Sequence, residues 1–333
     1  MVLRPRRPAL SAPVEADPRG GPVGTVVVLG ATGSVGRTVC AELLRTGHRV
    51  LAVARRATPH VRAHPFVPLD VATAAPGRLA ALLDKHGATA VVNATGGWGT
   101  TAEQMRSAHV DLPERLAAGC VATGRLLRVV QIGSIHEYGP VEDGVLIAED
   151  RAPGLLTPYG VTKRAGSEHL LAESHAGRID ALVLRAVNVC GPHTTTASFL
   201  GVVAERLRAL APGGTLTLDV AEARRDFVDV RDLARAAVAA VAAPGRSRVV
   251  NIGRGEAVPM TDLVDVLVKV SGVDPDAVRL RPAAVASKGG SWTCADIGLA
   301  ARLLGWRPQI PLDASLRAMW DAARDAEPPG GTG

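Results

Sequence analysis

Apolar and polar positions follow two different periods along this chain, and the switch between them repeats. Thr25-Val-Val-Val-Leu29 is an unbroken apolar run of strand length between glycines, and it predicts a buried parallel strand. A glycine-rich turn follows. Val35, Val39, Leu43 and Leu44 then recur at helical spacing up to Gly47, a C-cap glycine. Further strands are predicted at Arg49–Ala54, Phe66–Leu69, Thr89–Asn93, Leu126–Ile132 and Asp180–Val187, and helices at Leu79–Lys85, Thr101–Thr123 and Pro158–Ala176. Pro113 is expected to kink the second of these helices. Strands alternating with helices predict an α/β fold on a doubly wound parallel sheet.

After Asn188 the alternation loosens. Helices are predicted near Ala197–Leu210, Val230–Ala243, Thr261–Ser271, Ile297–Leu304 and Leu312–Ala326, with short strands near Thr215–Leu218 and Val249–Ile252. The pattern predicts a smaller mixed α/β lobe beside the first domain. The expected division is a frayed tail over 1–22, a nucleotide-binding domain over 23–187 and a substrate lobe over 188–327. A strand near 248–253 returns to the first domain, and a second tail covers 328–333.

Composition narrows the function classes. At 47% hydrophobic and 21% charged, the 333 residues can bury a sizeable core. No apolar run approaches the roughly 18–20 residues of a membrane span. The net charge is +6, of which the four arginines and two acids of the first twenty residues supply +2. The other arginines alternate with acids, so no nucleic-acid partner is expected, while anionic small molecules remain open. Cys40, Cys120, Cys190 and Cys294 lack CxxC spacing, which predicts no disulfide framework, no metal site and a reducing, cytoplasmic setting. Lysine and tyrosine are scarce: Lys85, Lys163, Lys269 and Lys288, and Tyr138 and Tyr159, are all there are.

Gly30-Ala-Thr32-Gly33-Ser34-Val35-Gly36 lies between the first strand and first helix, where glycines permit a tight turn and close approach to a pyrophosphate. A ligand-free glycine turn is the plain alternative, but the position favours a Rossmann dinucleotide site. At the end of the second strand an acid would bind NAD ribose hydroxyls. Here stand Arg55 and Arg56, which suit the 2′-phosphate of NADP(H). Asp70 and Val71 are placed for the adenine edge, and Asn93-Ala94-Thr95 for the middle of the cofactor.

Tyr159-Gly-Val-Thr-Lys163 puts a phenol and an ammonium on one helix face, and Ser134 ends the fifth strand at the ligand-binding edge of the sheet. A hydroxyl, a phenol and a nearby cation form a proton-delivery device, the cation favouring the phenolate.

These features together resemble the extended short-chain dehydrogenase/reductases that act on nucleotide-diphosphate sugars. The resemblance runs from about Thr25 to Ala323. It includes Ser134 to Gly139, Leu184-Arg-Ala-Val-Asn188-Val-Cys-Gly191-Pro192, Arg225-Asp-Phe-Val-Asp-Val-Arg-Asp232, Val250-Asn251-Ile-Gly253, Ala295-Asp296 and Leu304-Gly305-Trp306. It implies that Asn188 and Arg225 contact the sugar nucleotide's diphosphate, and that Tyr159 and Lys163 also lie against the cofactor, Lys163 at the nicotinamide ribose. It also implies a homodimer built on the helices at Thr101–Thr123 and Tyr159–Ala176, with Met105, Leu112, Leu116, Leu170 and Leu171 in the seam.

Three departures carry information. The family's 4,6-dehydratases have Thr-Asp-Glu where this chain has Ser134-Ile135-His136, so the acid pair for dehydration is missing. His136 becomes a candidate substrate contact or second proton carrier. His109 stands where an Asn usually supports the site, and Cys190 replaces a Tyr that would shape the sugar pocket. With Arg55-Arg56, the missing acid pair favours an NADPH-dependent ketoreductase acting at C4 of an NDP-4-keto-6-deoxyhexose, with dTDP as the expected nucleotide, as in the deoxysugar pathways of secondary metabolism. The alternatives are an NDP-sugar 4-epimerase with tightly bound NAD and a non-catalytic NADP-sensing protein of the same fold.

Overall fold

A computed structural model describes residues 24–97, 101–245, 247–284 and 290–324. The two expected tails lie outside them. Strands β1 (Thr25–Leu29), β2 (Arg49–Ala54), β3 (Phe66–Pro68), β4 (Ala88–Asn93), β5 (Arg128–Ser134) and β6 (Asp180–Ala186) come first. They are followed by β7 (Asn188–Cys190), β8 (Leu216–Ala221), β9 (Arg224–Asp229), β10 (Arg248–Ile252), β11 (Ala257–Pro259), β12 (Val278–Ala283) and β13 (Trp292–Thr293).

The main sheet has seven parallel strands in the order β10-β6-β5-β4-β1-β2-β3. Successive strands run outward in opposite directions from β1, which creates a crevice at the carboxyl ends of β1 and β4. The predicted class matches, and β10 joins the sheet beside β6.

The central strands β1, β4, β5 and β6 are buried on both faces, consecutive side chains pointing to opposite sides into two cores. In β1, Val26 and Val28 enter one core with α1 (Ser34–Arg45), while Val27 and Leu29 enter another with α2 (Pro76–Lys85). The long helix expected at Thr101–Thr123 is divided. It comprises α3 (Ala102–Arg106), one turn of π-helix (Ser107–Asp111) and α4 (Leu112–Ala122). The irregularity precedes Pro113 because proline has no N–H for the carbonyl four residues back, which belongs to His109.

α5 (Pro158–His175) lies against that turn. Its buried residues Tyr159, Lys163, Gly166, Ser167, Leu170 and Ser174 fall on one helical face. A Cβ at residue 166 would stand 1.9 Å from the His109 carbonyl oxygen, so only glycine allows this approach. Leu112, Leu116 and Leu170, expected in a dimer seam, are packed into the core of the monomer instead. They fill the space between α4, α5 and the sheet, which leaves only Met105 and Leu171 of that set partly exposed.

The second lobe has its own core of α6 (Phe199–Arg208), β8, β12, α8 (Met260–Ser271) and α10 (Leu312–Arg324). α7 (Val230–Ala242), which follows β9, packs on the main sheet beside α1, and α9 (Gly298–Leu304) joins the same core. Cys190 is buried in the lobe with Sγ 3.2 Å from Ser315 Oγ, so it shapes that core rather than a sugar pocket.

β9 was not anticipated as a strand because charge interrupts it. Its acids are structural. Asp226 accepts from the amides of Arg254, Gly255 and Ala295, and Asp232, in α7, from those of Gln309 and Ile310. No helix among the described residues is long and apolar enough to cross a membrane.

Candidate active site

A cleft of about 1290 Å³ opens at the carboxyl ends of β1, β2 and β4. Gly30, Thr32, Gly33, Arg55, Arg56, Asp70, Val71, Ala94 and Thr95 line it, as expected from sequence. Four other anticipated residues serve as supports. Gly36 packs under the turn, where a Cβ would be 2.1 Å from the Gly30 oxygen. Val35 packs against the core, and the Ser34 hydroxyl reaches the Pro192 carbonyl at 3.5 Å.

Asn93 is fully buried. Its amide donates to Gln131 Oε1 at 2.7 Å, and its oxygen accepts from the amide and hydroxyl of Thr95. It therefore holds the loop rather than facing the cleft. Arg78, Glu103 and Gln104 also line the cleft and were not anticipated. The Thr101-x-x-Gln104 capping box was the available signal, since it places α3 against the opening. A glycine turn packed directly under its helix at the carboxyl edge of the sheet fits a dinucleotide.

Ser134, Tyr159 and Lys163 come together beside this cleft. Ser134 ends β5, and a 3₁₀ turn over Ile135–Tyr138 follows it. The Ser134 hydroxyl accepts from the His136 amide at 3.2 Å and shares a hydrogen bond with the Tyr159 phenol. Burial pushes that phenol up to about 12, the Ser134 bond opposing the rise and the Glu137 charge adding to it. Sequence reasoning expected the Lys163 cation to favour the phenolate. In this structure the ammonium instead donates to the Ile132 carbonyl at 2.8 Å, and burial lowers its own pKa against the pull of Glu137. The phenol is thus held protonated.

Glu137 went unnoticed in the sequence. It is fully buried, with one oxygen on the Ser134 amide at 2.8 Å and the other on Arg185 Nε at 2.8 Å. Arg185 in turn covers the ring of Tyr138, 4.3 Å from its centroid, and the Tyr138 hydroxyl donates to Asn251. Two imidazoles flank Tyr159 edge-on, His109 at 5.2 Å and His136 at 6.0 Å between ring centroids.

The expected substrate contacts are less assembled. Asn188 donates to the Asp226 carbonyl, and Arg225 is 4% exposed with its guanidinium on the carbonyls of Arg224 and Gly290. Burial lowers the Arg225 pKa against the pull of Asp143. Here both side chains brace β9. Reaching a diphosphate requires them to exchange these carbonyls for it.

A match to the NAD dependent epimerase/dehydratase family spans residues 26–253, from the first strand through the returning one. The chain belongs to that family. The dTDP-6-deoxy-L-talose 4-dehydrogenase (NAD(P)+) of Kitasatospora kifunensis is 37% identical over 305 residues, covering 90% of this chain and 96% of the relative. A UDP-glucose 4-epimerase of Rhizobium leguminosarum bv. trifolii is 26% identical over 89% of this chain and 96% of its own length. Among solved structures, MoeE5 in complex with UDP-glucuronic acid and NAD superposes with a TM-score of 0.78. It is 27% identical, with 90% of this chain and 99% of MoeE5 covered. As a member of the family, the chain is an NAD(P)-dependent enzyme of nucleotide-sugar chemistry.

Proposed function

We propose that this family member is an NADP(H)-dependent ketoreductase acting at C4 of a nucleotide-diphosphate 4-keto-6-deoxyhexose, with dTDP as the nucleotide. The observation that carries the reading is the set of groups around Tyr159. The phenol is kept protonated and bonded to Ser134, Ile135 is buried in the core, and both oxygens of Glu137 are committed. The acid pair that dehydration needs is missing, and a proton donor remains. The dTDP-6-deoxy-L-talose dehydrogenase supports the choice of C4 and of the 6-deoxy sugar, since reduction is the reverse of its named reaction.

NADPH would supply the hydride to C4. Arg55 and Arg56 would pair with its 2′-phosphate, and the turn from Gly30 to Gly36 would hold the pyrophosphate. Ser134 orients the carbonyl by donating to its oxygen. Tyr159 passes its phenolic proton to that oxygen as the C4–H bond forms, and Lys163 steadies the nicotinamide ribose and the phenolate left behind. A 4-epimerase would use the same three residues with NAD retained through purification.

The test is the purified protein's cofactor content, followed by NADPH and NADH oxidation with dTDP-4-keto-6-deoxyglucose. The reading expects cofactor-poor protein that oxidises NADPH faster than NADH. Stoichiometric bound NAD without net oxidation would replace it with the epimerase.

A further inference from the structure

Glu137 supplies a charge where its turn needs only an acceptor. It stands three residues after Ser134, the spacing of a capping box, and the box is closed in both directions. The Ser134 amide donates to Glu137 Oε1 at 2.8 Å, and the His136 amide to Ser134 Oγ at 3.2 Å. Glutamine serves such a box as well as glutamate does. A fully buried carboxylate costs far more to desolvate than an amide, and here it requires the Arg185 guanidinium on its second oxygen at 2.8 Å. The preceding residue makes room for it. A Cβ on Gly133 would stand 2.7 Å from Glu137 Oε1 and 2.9 Å from Val183 Cγ1, so glycine there admits the carboxylate beside Ser134.

Three groups of the site feel this side chain. The Ser134 oxygen accepts from the His136 amide, which directs its hydrogen away from the turn and toward the Tyr159 phenol, with which it shares a hydrogen bond. Lys163 is 5% exposed and donates to the neutral carbonyl of Ile132. The Glu137 charge acts on Tyr159 and Lys163 in the same sense, opposing loss of a proton from either. Arg185 is engaged by Glu137 and Tyr138 instead. The remaining groups around the phenol are His109 of the π-turn and His136 of the 3₁₀ turn, both edge-on to it.

We propose that Glu137 is a positioning residue for Ser134, Tyr159 and Lys163: its oxygen on the Ser134 amide aims the Ser134 hydroxyl, and its buried charge keeps the protons on the other two. The two tasks are separable. Aiming depends on reach, and needs an acceptor of glutamate length whether charged or not. Proton retention depends on charge and acts through space. Glu137 touches neither substrate nor cofactor and transfers no proton itself. The site thereby keeps its donor form, a protonated phenol beside a charged ammonium, as pH rises above neutrality. The inference rests on the ketoreductase reading, in which Tyr159 must hold a proton when NADPH and the keto-sugar are in place.

The test compares Glu137→Gln, which keeps the acceptor and removes the charge, with Glu137→Asp, which keeps the charge and shortens the reach. In NADPH-dependent reduction of the keto-sugar, Glu137→Gln should bring the alkaline limb of the kcat/KM profile at least about one pH unit below that of the wild type. Glu137→Asp should lower kcat about tenfold or more at every pH and leave the limb in place. A second readout needs no substrate. The chain has two tyrosines, Tyr138 and Tyr159, so ¹³Cζ-tyrosine NMR follows both, with Tyr159→Phe as the assignment. With its phenol pushed up to about 12, Tyr159 should hold the protonated signal to about pH 10.5 in the wild type. In Glu137→Gln the signal should begin to move about one unit lower. If Glu137→Gln does not fold, Glu137→Gln with Arg185→Gln removes the same charge without leaving a buried cation, and should shift both readouts in the same direction. An unmoved limb and an unmoved Tyr159 titration in the folded charge-free protein would overturn the proposal. So would equal losses of kcat in the Gln and Asp variants with no pH shift in either. An inactive wild type whose Tyr159 signal responds to Glu137→Gln would uphold the positioning role and count against the ketoreductase reading.

Discussion

Glu137 and Arg185 form a 2.8 Å ion pair beside Ser134, with the carboxylate side chain 0% and the guanidinium 8% exposed. The second carboxylate oxygen fixes the Ser134 amide, so the pair ties β6 to the turn that carries the proposed oxyanion contact. Removing one partner leaves the other charged and buried. Glu137→Ala should therefore lower unfolding free energy by about 3–5 kcal/mol. Glu137→Ala combined with Arg185→Met should cost clearly less than the sum of the two single changes. Denaturant titration of the four proteins checks this, and strict additivity would contradict the coupling.

The chemistry predicts a pattern over three variants. Tyr159→Phe removes the acidic hydrogen but keeps the packing between His109 and His136, so turnover should fall by about 10²–10⁴ with NADPH affinity little changed. Lys163→Ala should lose both turnover and NADPH affinity, and Ser134→Ala chiefly turnover. Rapid-quench turnover with fluorescence titration of NADPH separates these outcomes. A Tyr159→Phe protein at near wild-type rate would pass the donor role to His136.

Cofactor choice is a second, independent measurement. Arg55 and Arg56 line the cleft at the end of β2, and a charge-assisted bond to a phosphate contributes about 1.5–3 kcal/mol. NADPH should bind about tenfold to a hundredfold more tightly than NADH. Arg55→Ala with Arg56→Ala should remove most of that margin and leave NADH binding nearly unchanged. Equal dissociation constants in the wild type would contradict the assignment.

Asp226 predicts a pH dependence of stability. Burial raises its carboxyl from the usual 3.8 to about 6, against three backbone amides that favour the charged form. The folded state then binds more protons than the unfolded chain between these values. Stability from this group is fully present below about pH 4 and is lost as pH rises through about 6, by about 3 kcal/mol. Asp226→Asn has no proton to lose, so its denaturation midpoint should lack this component over pH 4–6. Parallel pH profiles for the two proteins would contradict it.

The sequence showed most of what depends on local pattern. Alternating periods located all six strands from β1 to β6, and the Tyr159/Lys163 spacing placed both groups on one face of α5. Hidden features depend on partners distant in sequence. Glu137 reads as one acid in a turn until Arg185, from the neighbouring strand, is placed beside it. Leu112, Leu116 and Leu170 have the periodicity of a seam, but periodicity cannot distinguish the core of the monomer from a second copy. The π-turn needed two facts together, the missing N–H of Pro113 and the empty side of Gly166. β9 was obscured because Asp226 and Asp229 are buried acids satisfied by backbone amides and Arg231, a pairing that no alternation pattern records.

The central claim is hydride delivery to C4 of the sugar, and the most direct measurement follows that hydrogen. NADPH deuterated at both C4 positions of the nicotinamide, incubated with the protein and dTDP-4-keto-6-deoxyglucose, should give a dTDP-6-deoxyhexose with one deuterium at C4. One equivalent of NADPH should be consumed per sugar, read by proton NMR and absorbance. Deuterium at another ring carbon, or C4 inversion of a saturated nucleotide sugar without NADPH consumption, would contradict it.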